Sequence, residues 1–312
     1  MTTYLVTGGA GFIGSHITTA LVKRGDKVRV VDDLSSGFET NLDHIRDDVE
    51  FVKGDAADPS LMSRMSEGVE VVYHEAALAS VPASVRDPMA SHRECATSTV
   101  NVLTCAQRAG VRRVVLAASS AAYGDQPKPV KQETDPLDLL SPYAAAKIAS
   151  ELYCQAFTKS MGIETVALRY FNVYGPRQDP ASEYSAVIPI FVSKMLAGER
   201  PTIFGDGLQS RDFVFVSDVV AANLLAADAE KAVGESINVA CGGQSTLLDL
   251  MAAINAALGT EVQPEFAPPR TGDVRNSMAD ISKARDCLGY EPAVDLAEGL
   301  KRSIEYYRSI AG

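Results

Sequence analysis

An α/β fold built on a doubly wound parallel sheet is what the 312-residue sequence predicts, and three observations carry that prediction. Short β-branched runs alternate with helical patterns through the first half of the chain. A glycine-rich turn stands directly after the first run. An acidic residue ends the second. Alternation of this kind implies parallel strand pairing, with helices covering both faces of the sheet.

The first run, Tyr4-Leu5-Val6, leads straight into TGGAGFIGS at residues 7–15. Gly8 permits a tight turn, Gly11 lets the backbone approach a pyrophosphate, and Gly14 lets the next helix pack closely on the sheet. The helix N-terminus then offers unpaired N–H groups to an anion. The amphipathic stretch 12–24 supplies that helix and Gly25 stops it. A second strand at 27–31 ends at Asp32, close to the ~20-residue offset at which an acid meets a ribose. This order marks a Rossmann-type dinucleotide site. Asp33 follows Asp32, and Leu34-Ser35-Ser36-Gly37 contains no cation for a 2′-phosphate, so NAD is favoured over NADP. The Asp pair also reads as the start of a turn. Asp55, after the strand at 49–53, is either a second strand-end contact near the adenine or a turn residue of GDAADP.

Strands are expected at 4–7, 27–31, 49–53, 69–74, 113–118 and 164–169, and helices near 12–24, 58–66, 88–109 and 143–161. After Arg169 the rhythm breaks, and residues 172–184 are rich in Gly, Pro and polar side chains. A helix is expected at 187–197. Residues 213–215 and 237–239 read as short returns to the sheet, flanking a helix capped by Ser217. Thr246 starts another helix, 264–276 reads as an extended loop, and a last helix lies near 295–308. The expected organisation is a dinucleotide-binding domain of 1–168 plus about 212–240. A smaller interlocked C-terminal substrate domain takes about 169–211 plus 241–312.

Composition narrows the class. Hydrophobic content of 46% and charged content of 22% suit a globular enzyme. The net charge of -11 argues against nucleic acid or an anionic membrane as the main partner. An anionic ligand must then be met by local cations or helix ends. No apolar run approaches the ~18 residues of a membrane-spanning helix, and the N-terminus has no signal-peptide pattern. Cys95, Cys105, Cys154, Cys241 and Cys287 are scattered and odd in number, which suits a reducing cytoplasm. His16, His44, His74 and His92 show no ligand pairing with cysteines, so no metal is expected.

The chemistry gathers after strand five. Ser119-Ser120 fall at the carboxyl edge of the sheet, where open α/β folds place ligands. Tyr143 and Lys147 follow Ser141-Pro142 at the start of a helix, and their i,i+4 spacing puts them on one face. A phenol, with a reference pKa of ~10, is a poor base at neutral pH. A nearby ammonium favours its ionised form, and a serine hydroxyl can hydrogen-bond the same substrate oxygen.

At this point the chain resembles the extended short-chain dehydrogenase/reductase family, specifically its NAD-dependent nucleotide-sugar 4-epimerases. The resemblance runs nearly end to end. It rests on TGGAGFIGS (7–15), HEAALASVPASVRDP (74–88), ASSAAYGD (118–125), SPYAAAK (141–147), RYFNVYGPRQDP (169–180), FGDGLQSRDFVFVSD (204–218) and PPRTGDVRNS (268–277). The resemblance implies that Tyr143 is the acid/base, that Lys147 binds the nicotinamide ribose and tunes Tyr143, and that Ser119 assists with Ser120 close by. It implies NAD contacts from Gly8, Gly11, Phe12, Ile13, Asp32, Asp55 and Ala76. On the substrate side it implies Asn172 at the diphosphate or sugar and backbone contacts from Ala186 and Val187 to the uridine nucleotide. Arg211, Arg270 and Asp273 would hold the diphosphate and ribose, and Ser277 would wall the pocket beside the sugar's C2 substituent. A small serine there leaves room for an N-acetyl group. Arg211 also reads as a surface ion pair with Asp212, and Arg177 as either a loop cation or a carboxylate reader. The family also implies a homodimer through the helices near 88–109 and 143–161.

The departures are informative. Related dehydratases carry an acid just after the strand-five Ser/Thr, where this chain has Ser120, Ala121 and Ala122. Elimination of water is therefore not expected. Cys95 and Ser98 replace a frequent Asn and Gly. His74 reads as packing or orientation rather than catalysis. The expected activity is inversion at C4 of UDP-glucose/UDP-galactose and of their N-acetylated counterparts. The rivals are a UDP-glucuronate 4-epimerase or decarboxylase, and a non-catalytic NAD-binding regulatory protein.

Overall fold

The computed structural model describes residues 2–180, 186–269 and 274–311. Seven strands form the central sheet: β1 (Thr3–Thr7), β2 (Lys27–Asp32), β3 (Val49–Lys53), β4 (Val71–His74), β5 (Arg113–Ser119), β6 (Glu164–Tyr170) and β7 (Ser236–Val239). Their spatial order is β7-β6-β5-β4-β1-β2-β3, and each neighbouring pair is parallel. The chain runs outward from β1 in one direction and resumes at β4 on the other side. The crevice between β1 and β4 is therefore the topological switch point, where such sheets bind ligands.

Strand alternation divides the core as period-2 geometry requires. Val6, Val30, Tyr73 and Val115 face one layer, with Ile17 and Leu21 of α1 (Phe12–Lys23). Leu5, Val31, Val72 and Val114 face the other, with Met62 of α2 (Pro59–Ser66), Leu103 of α3 (Ser98–Arg108) and Phe157 of α4 (Pro142–Met161). A third cluster joins α5 (Val187–Leu196), α7 (Leu247–Leu258) and α8 (Leu296–Ala311) through Phe191, Leu250 and Ile304. The caps follow residue type at several ends. Asp58 caps α2, Ser141 caps α4, and Thr246 forms a capping box with Asp249 on α7.

Four expectations are corrected. Residues 213–215 do not return to the central sheet, because Val214–Phe215 pairs instead with Val173–Tyr174 in a two-stranded ribbon. Ser217 does not cap α6 (Val216–Ala226): Phe215 occupies the N-cap with extended backbone and no side-chain cap bond. Burial of Val216 draws the helix start forward. The extended loop at 264–276 contains a strand, Glu265–Ala267, paired with Thr202–Phe204. The helix read at 88–109 is broken by a π segment, His92–Thr97. A four-stranded small sheet orders Ser245–Thr246, Ser210–Arg211, Asn276–Ala279 and Val130–Lys131, so the N-terminal half lends it one edge. Among the described residues no helix is long and apolar enough to cross a membrane.

Candidate active site

A cleft of about 750 Å³ opens at the switch point. One wall is the glycine turn. Gly8 has φ +67°, and a Cβ there would meet the backbone N of Ala76 at 2.6 Å. A Cβ on Gly14 would stand on the carbonyl of Gly8. Gly11 is different in kind: it is the N-cap of α1, carries no side-chain cap bond, and is crowded only by Gly8 O at 3.1 Å. The first amides of α1 are thus left for an anion to satisfy.

Asp32 ends β2 in the same cleft. Its two oxygens accept from Ala10 N at 2.9 Å and Leu34 N at 2.8 Å. The Gly11 amide also favours the charged form of Asp32. Burial raises its carboxyl above the ordinary value against those amide bonds. Asp55 lies at the rim, paired with Arg93 and accepting from Ala57 N at 2.7 Å, so it serves both as a turn residue and as part of the wall. Among the described lining residues Lys147 is the one cation. It is anchored on β5, three strands from Asp32 in the sheet order. These features fit NAD: a bare helix end for the pyrophosphate, a carboxylate for the adenosine ribose, and no cation beside it for a 2′-phosphate.

The opposite wall carries the chemistry. Ser141 Oγ accepts from Ala144 N at 3.1 Å and Pro142 occupies the first turn, which fixes where α4 begins. Tyr143, Lys147 and Glu151 then share one face. Lys147 is 4% exposed and its Nζ donates to Ala117 O at 2.8 Å. Tyr143 is half-buried and lines the cleft with Ser119 and Ser120. Ser119 Oγ accepts from Ala121 N at 3.2 Å. Asn172 and Ala186 line the same space, with Asn172 Nδ2 held on Asp212 O at 3.0 Å. Phe12, Ile13 and Ala76 line it too.

Not every candidate meets there. Val187, Arg211 and Ser277 are not among the lining residues. Arg211 and Ser277 stand opposite each other in parallel register, and the Arg211 guanidinium donates to Ser210 O at 2.9 Å. Arg270 and Asp273 lie outside the described residues. Asp212 is fully buried and takes Cys241 N at 2.9 Å, Gly242 N at 3.0 Å and Ala279 N at 3.2 Å, so its carboxylate serves backbone amides. Burial pushes it up to about 6. Arg177, at φ +65°, points to α1: it bonds Ser15 Oγ at 3.2 Å, Thr19 Oγ1 at 3.1 Å and His44 Nε2 at 3.2 Å. It is a loop cation.

His74 is locked between Thr7 Oγ1 at 2.7 Å and Thr99 Oγ1 at 3.1 Å, and burial drives it down to about 3, so it is a neutral packing group. At the π segment Thr99 Oγ1 donates to the Cys95 carbonyl at 2.7 Å, while Ser98 Oγ donates to Glu94 O at 2.6 Å and Ser150 Oγ to Ala146 O at 3.0 Å. Sequence reasoning did not single out Gln178, Asp179, Glu94 or Ser98 as lining residues, and it left Glu75 without a role. Gln178-Asp179 within RYFNVYGPRQDP offered the one signal for the first two.

Fold and cleft together define a dinucleotide-dependent enzyme of nucleotide-sugar type. Residues 4–240 match the NAD dependent epimerase/dehydratase family, and the chain belongs to it. Over 309 residues it is 41% identical to a UDP-glucose 4-epimerase of Mycolicibacterium smegmatis, covering 98% of each chain. The crystal structure of the Thermotoga maritima UDP-glucose 4-epimerase with UDP-glucose superposes at a TM-score of 0.95, with 40% identity and 100% of each chain covered. The UDP-N-acetylglucosamine 4-epimerase of Methanobrevibacter ruminantium, in complex with UDP-N-acetylmuramic acid, also gives 0.95, with 38% identity over 99% of each chain.

Proposed function

We propose that this protein is a UDP-sugar 4-epimerase that inverts C4 through a transient 4-keto sugar, acting on UDP-hexoses and on their N-acetylated counterparts. The observation that carries the reading is the single cleft. Ser119, Tyr143 and Lys147 share it with the glycine turn and Asp32, so a sugar at Tyr143 adjoins the dinucleotide. Bound NAD supplies reversible hydride acceptance at C4. Tyr143 Oη holds the 4-hydroxyl proton while the sugar is a ketone and returns it afterwards. Ser119 Oγ, already fixed by Ala121 N, orients the same oxygen. Lys147, pinned to Ala117 O, keeps two protons for the nicotinamide ribose and the Tyr143 side. Ala121 and Ala122 leave no acid beside Ser119 for elimination.

Asn172, Ala186, Val187, Arg211, Arg270, Asp273 and Ser277 form the proposed nucleotide-sugar side, by family resemblance. Arg177 is committed to α1, which disfavours the uronate reading. The proposed domains are 1–168 plus about 212–240, and about 169–211 plus 241–312, with Val130–Lys131 reaching across to the small sheet. We also propose a homodimer. Exposed Val85 and Met89, with Leu152 and Tyr153 of α4, give an apolar face on adjoining helices. Light scattering at the 33.2 kDa monomer mass would reject it. The free cysteines suit a cytoplasmic location.

The deciding experiment incubates purified protein with a panel of UDP-sugars and follows the sugar by NMR. Interconversion of UDP-glucose with UDP-galactose, and of the N-acetylated pair, is expected without net consumption of NAD. No interconversion of any pair would overturn the reading.

A further inference from the structure

We propose that Glu75 is a tuning residue. Its carboxylate, placed beneath the nicotinamide end of the cleft, sets the balance between oxidised and reduced bound cofactor. The inference rests on the NAD reading above.

The placement comes first. Glu75 follows β4, and its N–H donates to Thr7 O at 3.1 Å. A Cβ on Gly8 would lie 2.9 Å from the Glu75 carbonyl carbon, so its backbone abuts the glycine turn itself. Asp32 marks the adenosine side, beyond β1. Glu75 lies on the other side of the switch point, in the half lined by Ala117, Ser119, Tyr143 and Lys147.

The partners come second. Glu75 Oε1 is 2.9 Å from Tyr170 Oη, at the end of β6. That hydroxyl lies 2.7 Å from Asn223 Nδ2 and 3.0 Å from Asn223 Oδ1, on α6. Asn223 Nδ2 is itself fixed on Val219 O at 2.9 Å. A phenol has one proton, so the chain has two complete arrangements. With Glu75 ionised, Tyr170 donates to the carboxylate and accepts from Nδ2. With Glu75 protonated, it donates to Tyr170, which donates to Oδ1. Both charge states are satisfied without moving a heavy atom.

The surrounding charges come third. Lys147 of α4 faces Glu75 and favours its charge, while His74, the last residue of β4, is held neutral by burial and by Lys147. The Tyr143 hydroxyl borders the same space. Burial outweighs these groups and pushes the Glu75 carboxyl up to about 7. Glu75 is half-buried at the cleft wall, where taking a carboxylate out of water is costly. Oxidised nicotinamide carries a positive charge and reduced nicotinamide none, so a carboxylate nearby favours the oxidised form. At an effective dielectric of about 20, unit charges roughly 12 Å apart shift such a ratio about tenfold, and nearer charges shift it more.

The test uses the purified holoprotein, with the reduced-to-oxidised ratio of bound cofactor read by nicotinamide fluorescence after equilibration with UDP-glucose. Glu75→Gln keeps the shape and removes the charge. At about pH 8 it should hold a reduced-to-oxidised ratio at least roughly tenfold above wild type, while Glu75→Asp stays near wild type. At about pH 6, where the wild-type carboxyl is protonated, the gap between wild type and Glu75→Gln should shrink. If Glu75→Gln sheds its cofactor, Tyr170→Phe takes its place: loss of the hydroxyl makes the charge costlier and should move the ratio the same way. A ratio equal to wild type at about pH 8, in whichever variant retains cofactor, overturns the proposal. Denatured wild type that releases no NAD or NADH would instead overturn the cofactor reading beneath it.

Discussion

Glu151→Gln tests how α4 is held against the sheet, one helical turn beyond Lys147. Glu151 is 2% exposed and Arg169, on β6, is 5% exposed. The guanidinium grips the carboxylate through Nε at 3.0 and 3.1 Å and Nη2 at 2.8 Å. Ser236 Oγ adds a bond to Glu151 Oε2 at 2.8 Å, and Arg169 Nη1 reaches Tyr123 Oη at 2.9 Å. Tyr123 in turn donates to Asn238 Oδ1 at 2.6 Å. Glutamine keeps one acceptor, but it turns an NH₂ toward existing donors and leaves a buried cation without its counter-charge. Breaking such a pair from one side costs about 3–5 kcal/mol. At roughly 2.1 cal/mol/K of unfolding entropy per residue, a chain of this length loses about 5–8 °C in Tm. Differential scanning calorimetry of the holoprotein measures this. Glu151→Leu combined with Arg169→Met removes both charges and should recover most of the loss. A Tm shift below about 1 °C for Glu151→Gln, or a double variant no more stable than the single, would refute the argument.

Four further outcomes are expected. Tyr143→Phe should lower turnover by about 10²–10⁴-fold while its NAD content and melting temperature stay those of wild type; unchanged turnover removes Tyr143 from the proton-holding role. Ser277→Tyr should selectively cut activity on the N-acetylated UDP-sugars, and an equal loss on all substrates would dismiss a gatekeeper at that position. Gly14→Ala places a methyl on the Gly8 carbonyl, so the protein should purify with little or no dinucleotide, as nucleotide analysis after denaturation will show. Asp212 at about 6 and Glu75 at about 7 bind protons more tightly folded than unfolded. Their stability contribution is present below about pH 4 and is lost as pH rises through 6 to 7. Urea unfolding across that range should show a shallower decline for Asp212→Asn, and an unaltered slope would contradict the assignment.

How much of this was legible from sequence depends on how local the constraint is. The glycine turn reads directly because Gly8 needs a positive φ and Gly14 has no room for a Cβ, and both demands lie within eight residues. Tyr143 and Lys147 read because helical spacing alone puts them on one face. Ser217 misled because residue type favoured a cap, whereas the burial of Val216 and Asp218's bond to Val294 N, 76 residues away, fix where α6 begins. Residues 213–215 misled because a two-residue strand has no periodicity, and only pairing with Val173–Tyr174 defines it. Arg177 stayed ambiguous until the fold brought Ser15, Thr19 and His44 to it from about 130 to 160 residues away.

The same contrast separates His74 from Glu75, adjacent letters in one motif. Sequence already leaned toward packing for His74, and its two threonine partners bear that out. Nothing local distinguishes a carboxylate that faces solvent from one folded against Tyr170, 95 residues on, with Lys147 nearby. Buried polar groups are paired because leaving them unpaired is costly, but the partners come from whichever strands and helices the sheet order makes neighbours. A strand-end acid therefore acquires its chemistry only when β4, β6, α4 and α6 meet around it.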